Sequence, residues 1–159
     1  MPPRRSGEGG ADVPLRVPPS IADSSLTSRR VQATWEPGPL RCDVAVEGFT
    51  LSVDEPESVG GTGLGPQPTD LFLASVASCF TLALVHSAGK QGLQLRGVQV
   101  EAVGEYAGPR FDAVHLAVAV AGPGPDELAR LVEAAERVCY VSNTLRAPIA
   151  LTVEARSDG

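Results

Sequence analysis

Lysine is almost missing from this chain. Lys90 is the only one among 13 basic residues, which are scattered through 159 positions and outnumbered by 19 acidic ones. A net charge of −6 excludes the concentrated basic surface that phosphate binding needs, so no nucleic-acid partner is expected. Cysteine is scarce as well. Three thiols cannot all pair, which excludes a disulfide scaffold, and with only two histidines they show none of the short ligand spacings of a zinc site and no Cys-x-x-Cys. Residues 1–23 lack the apolar run of a secretory signal, so the expected compartment is the reducing cytoplasm. There, a cysteine pair that matters is transient and catalytic rather than structural. No metal and no resident cofactor are expected.

Charge is also absent from one long internal stretch. Residues 71–89 carry no formal charge over 19 positions, long enough to cross a bilayer. Ser75, Ser78, Thr81, His86 and Ser87 interrupt the run, and one span isolated between β-hairpins makes little topological sense. No membrane association is expected, and the run is read as a helix buried on every side.

What is present, 43% hydrophobic residues, suffices for one domain with one core. Residues 1–27 hold five prolines without periodicity and are read as a flexible N-terminal arm, leaving 28–159 as the domain. Val31, Ala33 and Trp35 alternate, as do Cys42, Val44 and Val46, then Phe49, Leu51 and Val53, which predicts a three-stranded meander turning at residues 36–39 and at Gly48. Thr69 is placed to cap the following helix, with Asp70 in its first turn and Gly92 as its stop. A hairpin over 95–106 and 111–121 precedes a second helix opened by Pro125. There Leu128, Leu131, Val132, Ala135, Val138 and Cys139 share a face, and Asp126 with Arg130 and Glu133 with Arg137 form four-residue ion pairs. Ile149, Leu151, Val153 and Ala155 predict a last strand. The order βββαββαβ is an α+β domain, with antiparallel sheets packed on a buried central helix. One sheet and one amphipathic helix cannot cover a helix that lacks a polar side, so a second copy of the chain is expected to complete the burial as a homodimer.

Cys79 and Cys139 are open to two readings. Both suit small core positions, as unpaired cysteines usually do. A redox pair is favoured by polar Ser78 and Thr81 flanking Cys79, and by the position of Cys139 at a helix end, where backbone can yield. Cys42 reads as a core strand residue, and His115 as a packed or half-exposed histidine. Gly60-Gly-Thr-Gly-Leu-Gly65 lacks the spacing of a phosphate loop and reads as a flexible lead into the helix. A reactive cysteine must ionise below its free pKa near 8.5. Cys79 lies about nine residues into its helix, beyond the reach of the terminal dipole, and His86 is roughly 10.5 Å further along. The cation must therefore be an arginine, with Arg41, Arg29 and Arg30 as candidates.

Two stretches carry a resemblance. Gly65-Pro-Gln-Pro-Thr-Asp-Leu-Phe-Leu-Ala-Ser-Val-Ala-Ser-Cys79-Phe80, preceded by Asp54-Glu-Pro and Gly60-Gly61, and Cys139-Tyr-Val-Ser-Asn143 with Leu145 resemble the OsmC and Ohr family of organic hydroperoxide reductases. The resemblance implies an intertwined homodimer with active sites at its interface. It further implies a Cys79 thiolate that attacks the O–O bond of an alkyl or fatty-acyl hydroperoxide, releases an alcohol and becomes a sulfenic acid. Cys139 would resolve this to a Cys79–Cys139 disulfide, and an external dithiol, lipoyl-linked in one branch, would reduce it. An arginine, Arg41 the nearest candidate, would stabilise the thiolate, and a carboxylate would orient that arginine. The peroxidase branches carry a glutamate ten residues before the reactive cysteine, where this chain has Thr69. Its acidic residue is Asp70, one position on, as in the broader OsmC-like group. The alternative within the family is a non-catalytic dimer that senses redox state or binds a small apolar ligand.

Overall fold

A computed structural model describes residues 28–157, so the expectation for 1–27 lies outside the described residues. The chain runs β1 (Gln32–Thr34), β2 (Arg41–Val46), β3 (Phe49–Asp54), one 3₁₀ turn (Glu57–Val59), α1 (Pro68–Gln91), β4 (Gly97–Tyr106), β5 (Phe111–Ala121), α2 (Pro125–Val138) and α3 (Tyr140–Arg146). It adopts the α+β class, with antiparallel pairing throughout: β1-β2-β3 in one sheet and β4-β5 in another. β2 and β3 close through Glu47 and Gly48, whose φ values of 40° and 89° are both positive, as a two-residue hairpin turn with the right-handed strand twist requires.

The core lies where α1, α2 and the β4-β5 hairpin meet. Phe80, Ala83, Leu84, Ala88, Leu131 and Ala135 are buried there, backed by Val98, Val100, Leu116 and Val118 from the hairpin. Phe111 fastens the hairpin to α1 by stacking on Phe72 at a centroid separation of 5.8 Å, with Tyr106 4.5 Å away on the same ring. Gly104 makes room for it, since a Cβ there would stand 2.5 Å from the Phe111 ring.

Several expectations are corrected. Residues 147–157 form no strand, and Ile149, Leu151 and Val153 are exposed, because within one chain no strand edge pairs with them. The first helix starts at Pro68 rather than beyond Thr69. Proline fixes its own φ at the helical value and so sets the first turn, leaving Gln67 as the cap. Burial of α1 is one-sided: Leu84 is wholly buried while Leu82 is 68% exposed. The meander adds little to covering it, since β1–β3 makes no substantial contact with any helix among the described residues. The apolar surface that a second copy was expected to cover is thus present.

The glycine-rich loop is a further correction, because it is held rather than flexible. Asp54, 1% exposed at the end of β3, accepts the N–H groups of Glu55 (2.8 Å), Thr62 (2.9 Å) and Leu64 (3.0 Å), and the Thr62 hydroxyl as well. Gly61 is obligatory in this wrap, as its Cβ would fall 1.8 Å from the Glu55 carbonyl oxygen. The Asp54 N–H donates to the Pro66 carbonyl at 3.0 Å, tying the loop to the residues that lead directly into α1.

Candidate active site at the Cys79 cleft

α2 ends at Val138 because Cys139 leaves helical geometry, with φ −77° and ψ 105°, and the chain restarts as α3 in a new direction. The junction is closed by Cys139 N–H donating to the Ala135 carbonyl (3.0 Å) and Asn143 N–H donating to the Cys139 carbonyl (3.1 Å). The Asn143 side-chain amide reaches back to the Arg137 carbonyl at 3.3 Å. This break presses the start of α3 against the middle of α1. Cys139, wholly buried, and half-buried Cys79 consequently pack together in the core as neighbouring free thiols.

Their ionisation is unequal. Burial pushes the Cys79 thiol up, and the neighbouring Cys139 sulfur adds to this by hydrogen bond and by like charge, against opposing amides from Val141 and Tyr140. Burial acts on Cys139 in the same sense. There it is outweighed by the Ser142 hydroxyl and amide, the Cys79 thiol and the Val141 amide, which together hold Cys139 below the ordinary thiol range. The asymmetry favours ionisation of Cys139 over that of Cys79. Sequence reasoning missed Ser142, although a hydroxyl three residues after a cysteine at a helix break is the readable signal; its Oγ lies 3.3 Å from the Cys139 carbonyl oxygen.

Cys79 opens onto a cleft of about 870 Å³ whose walls include Leu82, His86, Arg137, Val138, Tyr140 and Asn143. A separate cavity of about 560 Å³ lies across α3, lined by Phe72, Phe80, Phe111, His115 and Ser142 among others. The two are divided by the short helix, whose Tyr140, Asn143 and Thr144 face the first and Ser142, Leu145 and Arg146 the second. Phe72 and Phe80 belong to this second cavity and not to the Cys79 cleft. His86 shares the cleft with Cys79, as seven-residue spacing on one helix face allows.

The remaining sequence candidates lie elsewhere. The Asp70 carboxylate accepts the Gln67 N–H at 3.0 Å and so caps α1, nine residues or about 13.5 Å of helix before Cys79. Arg41 donates to Ser52 Oγ (3.0 Å), which in turn donates to Asp43 (3.0 Å), all within the β2-β3 pair. Arg29 pairs with Glu47 at 2.6 Å, and no cation is among the groups that shift Cys79. Cys42 is half-buried opposite Val53, and His115 pairs with Glu105 at 3.2 Å on an exposed strand face. Neither predicted ion pair of α2 forms among the described residues. The arginine that does share the Cys79 cleft, Arg137, had been assigned to one of them.

Residues 61–154, a span containing both cysteines, match the family described as OsmC-like protein. An organic hydroperoxide resistance protein of Xanthomonas axonopodis pv. citri is 36% identical over 103 residues, covering 62% of this chain and 72% of the relative. Among solved structures, an organic hydroperoxide resistance protein of Vibrio cholerae with captopril bound in one of its active sites is 31% identical. It superposes with a TM-score of 0.56 over 78% of this chain and 89% of the other. A Legionella pneumophila organic hydroperoxide resistance protein is 27% identical, with a TM-score of 0.58 over 77% and 92%.

Proposed function

The chain belongs to the OsmC-like protein family, and from that premise we propose that it is a thiol-dependent peroxidase, reducing organic hydroperoxides of the alkyl or fatty-acyl class to alcohols. The observation that carries this reading is the pair of neighbouring thiols itself: one at a cleft, the other buried against the same core. The relatives named for organic hydroperoxide resistance support the substrate class.

The unequal thiols suggest an order of events. Cys79 alone reaches the cleft, so it meets the hydroperoxide. As its sulfur attacks the terminal peroxide oxygen, its proton passes to the Cys139 thiolate. The S–O bond forms, the O–O bond breaks, and the departing alkoxide takes that proton to leave as an alcohol. Sulfur has lost two electrons and the peroxide has gained them, leaving a Cys79 sulfenic acid and a Cys139 thiolate. Cys139 then attacks the Cys79 sulfur, and hydroxide departs as the disulfide forms. An external dithiol restores both thiols, its own sulfurs ending as a disulfide. A second copy of the chain would cover the exposed side of α1 and of the meander.

Steady-state assay tests the function: protein in catalytic amount, with a neutral alkyl hydroperoxide and a dithiol such as dihydrolipoamide, is expected to oxidise the dithiol only when the hydroperoxide is present. Absence of turnover with either alkyl or fatty-acyl hydroperoxides would remove the proposal.

The ordering has its own check. If Cys139 acts as the base, Cys139→Ser slows the first oxidation of Cys79 at neutral pH. Its rate profile also moves to higher pH, because burial still raises Cys79 and the lowered partner is gone. A Cys139 that only resolves would leave the first step no slower, because its loss removes a neighbour that raises the Cys79 thiol. Stopped-flow oxidation from pH 5 to 9 separates the two.

A further inference from the structure

The cleft at Cys79 has a charge pattern that peroxide cleavage does not require. Among its lining residues the one fixed charge is Arg137, His86 adds another when protonated, and no aspartate or glutamate faces it, in a chain of net charge −6. Arg137 stands in the last turn of α2, exposed, and no carboxylate pairs with it among the described residues. Glu133, one turn earlier, lies outside ion-pair distance, whereas Arg29, Arg110 and Arg146 all hold carboxylates. Its backbone is fixed by the Asn143 side chain, so the guanidinium extends from a set position. The same walls include apolar Leu82, Ala83 and Val138. Arg137 and Cys79 line the same cleft.

A site with a thiol, an apolar wall and a cation that lacks an anionic partner suits a ligand that carries a peroxide, a hydrocarbon part and a carboxylate. We propose that Arg137 is a specificity-determining residue that holds the carboxylate of an anionic hydroperoxide while its O–O bond lies at Cys79. This rests on the peroxidase reading for turnover but not for binding. A guanidinium matches a carboxylate through two parallel N–H donors, which a lysine ammonium does not reproduce.

The test uses the full reduced chain with a fatty-acid hydroperoxide and its methyl ester, two substrates alike except for the charge, below their micellar concentrations. Arg137→Gln is expected to raise KM for the acid about tenfold while leaving kcat, and KM for the ester, within about twofold. Arg137→Lys should recover part of the loss. Equal changes for acid and ester, or no change for either, would overturn the proposal. Calorimetric binding of the unoxidised fatty acid and its ester supplies a readout independent of turnover, with a tenfold weakening expected for the acid alone in Arg137→Gln. If neither hydroperoxide is reduced but acid binding still depends on Arg137, the peroxidase reading fails and the anchor stands. If the acid binds no better than the ester to the wild-type chain, the anchor fails whatever the turnover.

Discussion

Cys79→Ser is expected to lower hydroperoxide reduction by about a thousandfold or more, with no change in the circular dichroism of the fold. Serine is nearly the same shape but its hydroxyl does not ionise near neutrality, and oxygen lacks the soft nucleophilicity that attacks a peroxide bond. Cys79 is the member of the pair that reaches the cleft, whereas Cys139 is wholly buried and cannot substitute for it without unfolding the junction between α2 and α3. The half-exposed position of Cys79 also makes the replacement mild in stability terms. Residual turnover within tenfold of wild type would place the chemistry at another residue.

Asp54→Asn is the substitution with the largest expected effect on the fold. The carboxylate receives three backbone N–H groups and one hydroxyl, and these hold it well below the usual carboxylate range, the Thr62 hydroxyl contributing most and the Thr62 amide next. An asparagine keeps one acceptor oxygen and turns an NH₂ group toward donors, so at least one buried N–H loses its partner. The loop from Glu55 to Pro66 is closed around this carboxylate and joins directly to α1, so its loosening reaches the helix that carries Cys79. A fall in Tm of about 5–10 °C is expected. The pH dependence has a definite sign. Because the folded carboxyl ionises more readily than the unfolded one, its stabilisation is complete above the unfolded pKa near 3.9. It is lost as pH falls through the lower folded value. Acid titration of the wild type should show that loss, and the Asn variant should lack this component. A Tm within about 1 °C of wild type would mean that the loop does not depend on Asp54.

The fold was legible wherever one local rule decided the outcome. The uncharged run 71–89 and Gly92, at φ 68°, delimited α1 to within a few residues, and Pro125 marked the start of α2. Alternation and turn residues together anticipated the five observed strands. It failed for Ile149, Leu151 and Val153, since alternation states which face is apolar but not which edge the strand will join. Proline against threonine at the start of α1 was a contest between a fixed φ and a capping hydroxyl, and the fixed φ won. The Gly-rich loop was misjudged because its order comes from one carboxylate outside the run, at Asp54.

The candidate site was legible as two cysteines but not as a cleft. Its shape follows from the break at Cys139, where ψ of 105° turns the chain, and helical periodicity carries no sign of that. The turn moves Phe72 and Phe80 into a separate cavity and brings Arg137, two residues earlier, into the Cys79 cleft. An arginine four residues after a glutamate looks like half of a surface ion pair in any helix. Only the direction of α2 relative to α1 shows otherwise.

The central claim is that Cys79 and Cys139 form one redox unit. Reduced protein should be given about one equivalent of an alkyl hydroperoxide, quenched within seconds by acid, alkylated and mapped by mass spectrometry. The account predicts a Cys79–Cys139 disulfide in wild type, a Cys79 sulfenic acid without disulfide in Cys139→Ser, and Cys42 left as a free thiol. A Cys79 that remains a thiol, or a disulfide that joins Cys42 instead, would contradict it.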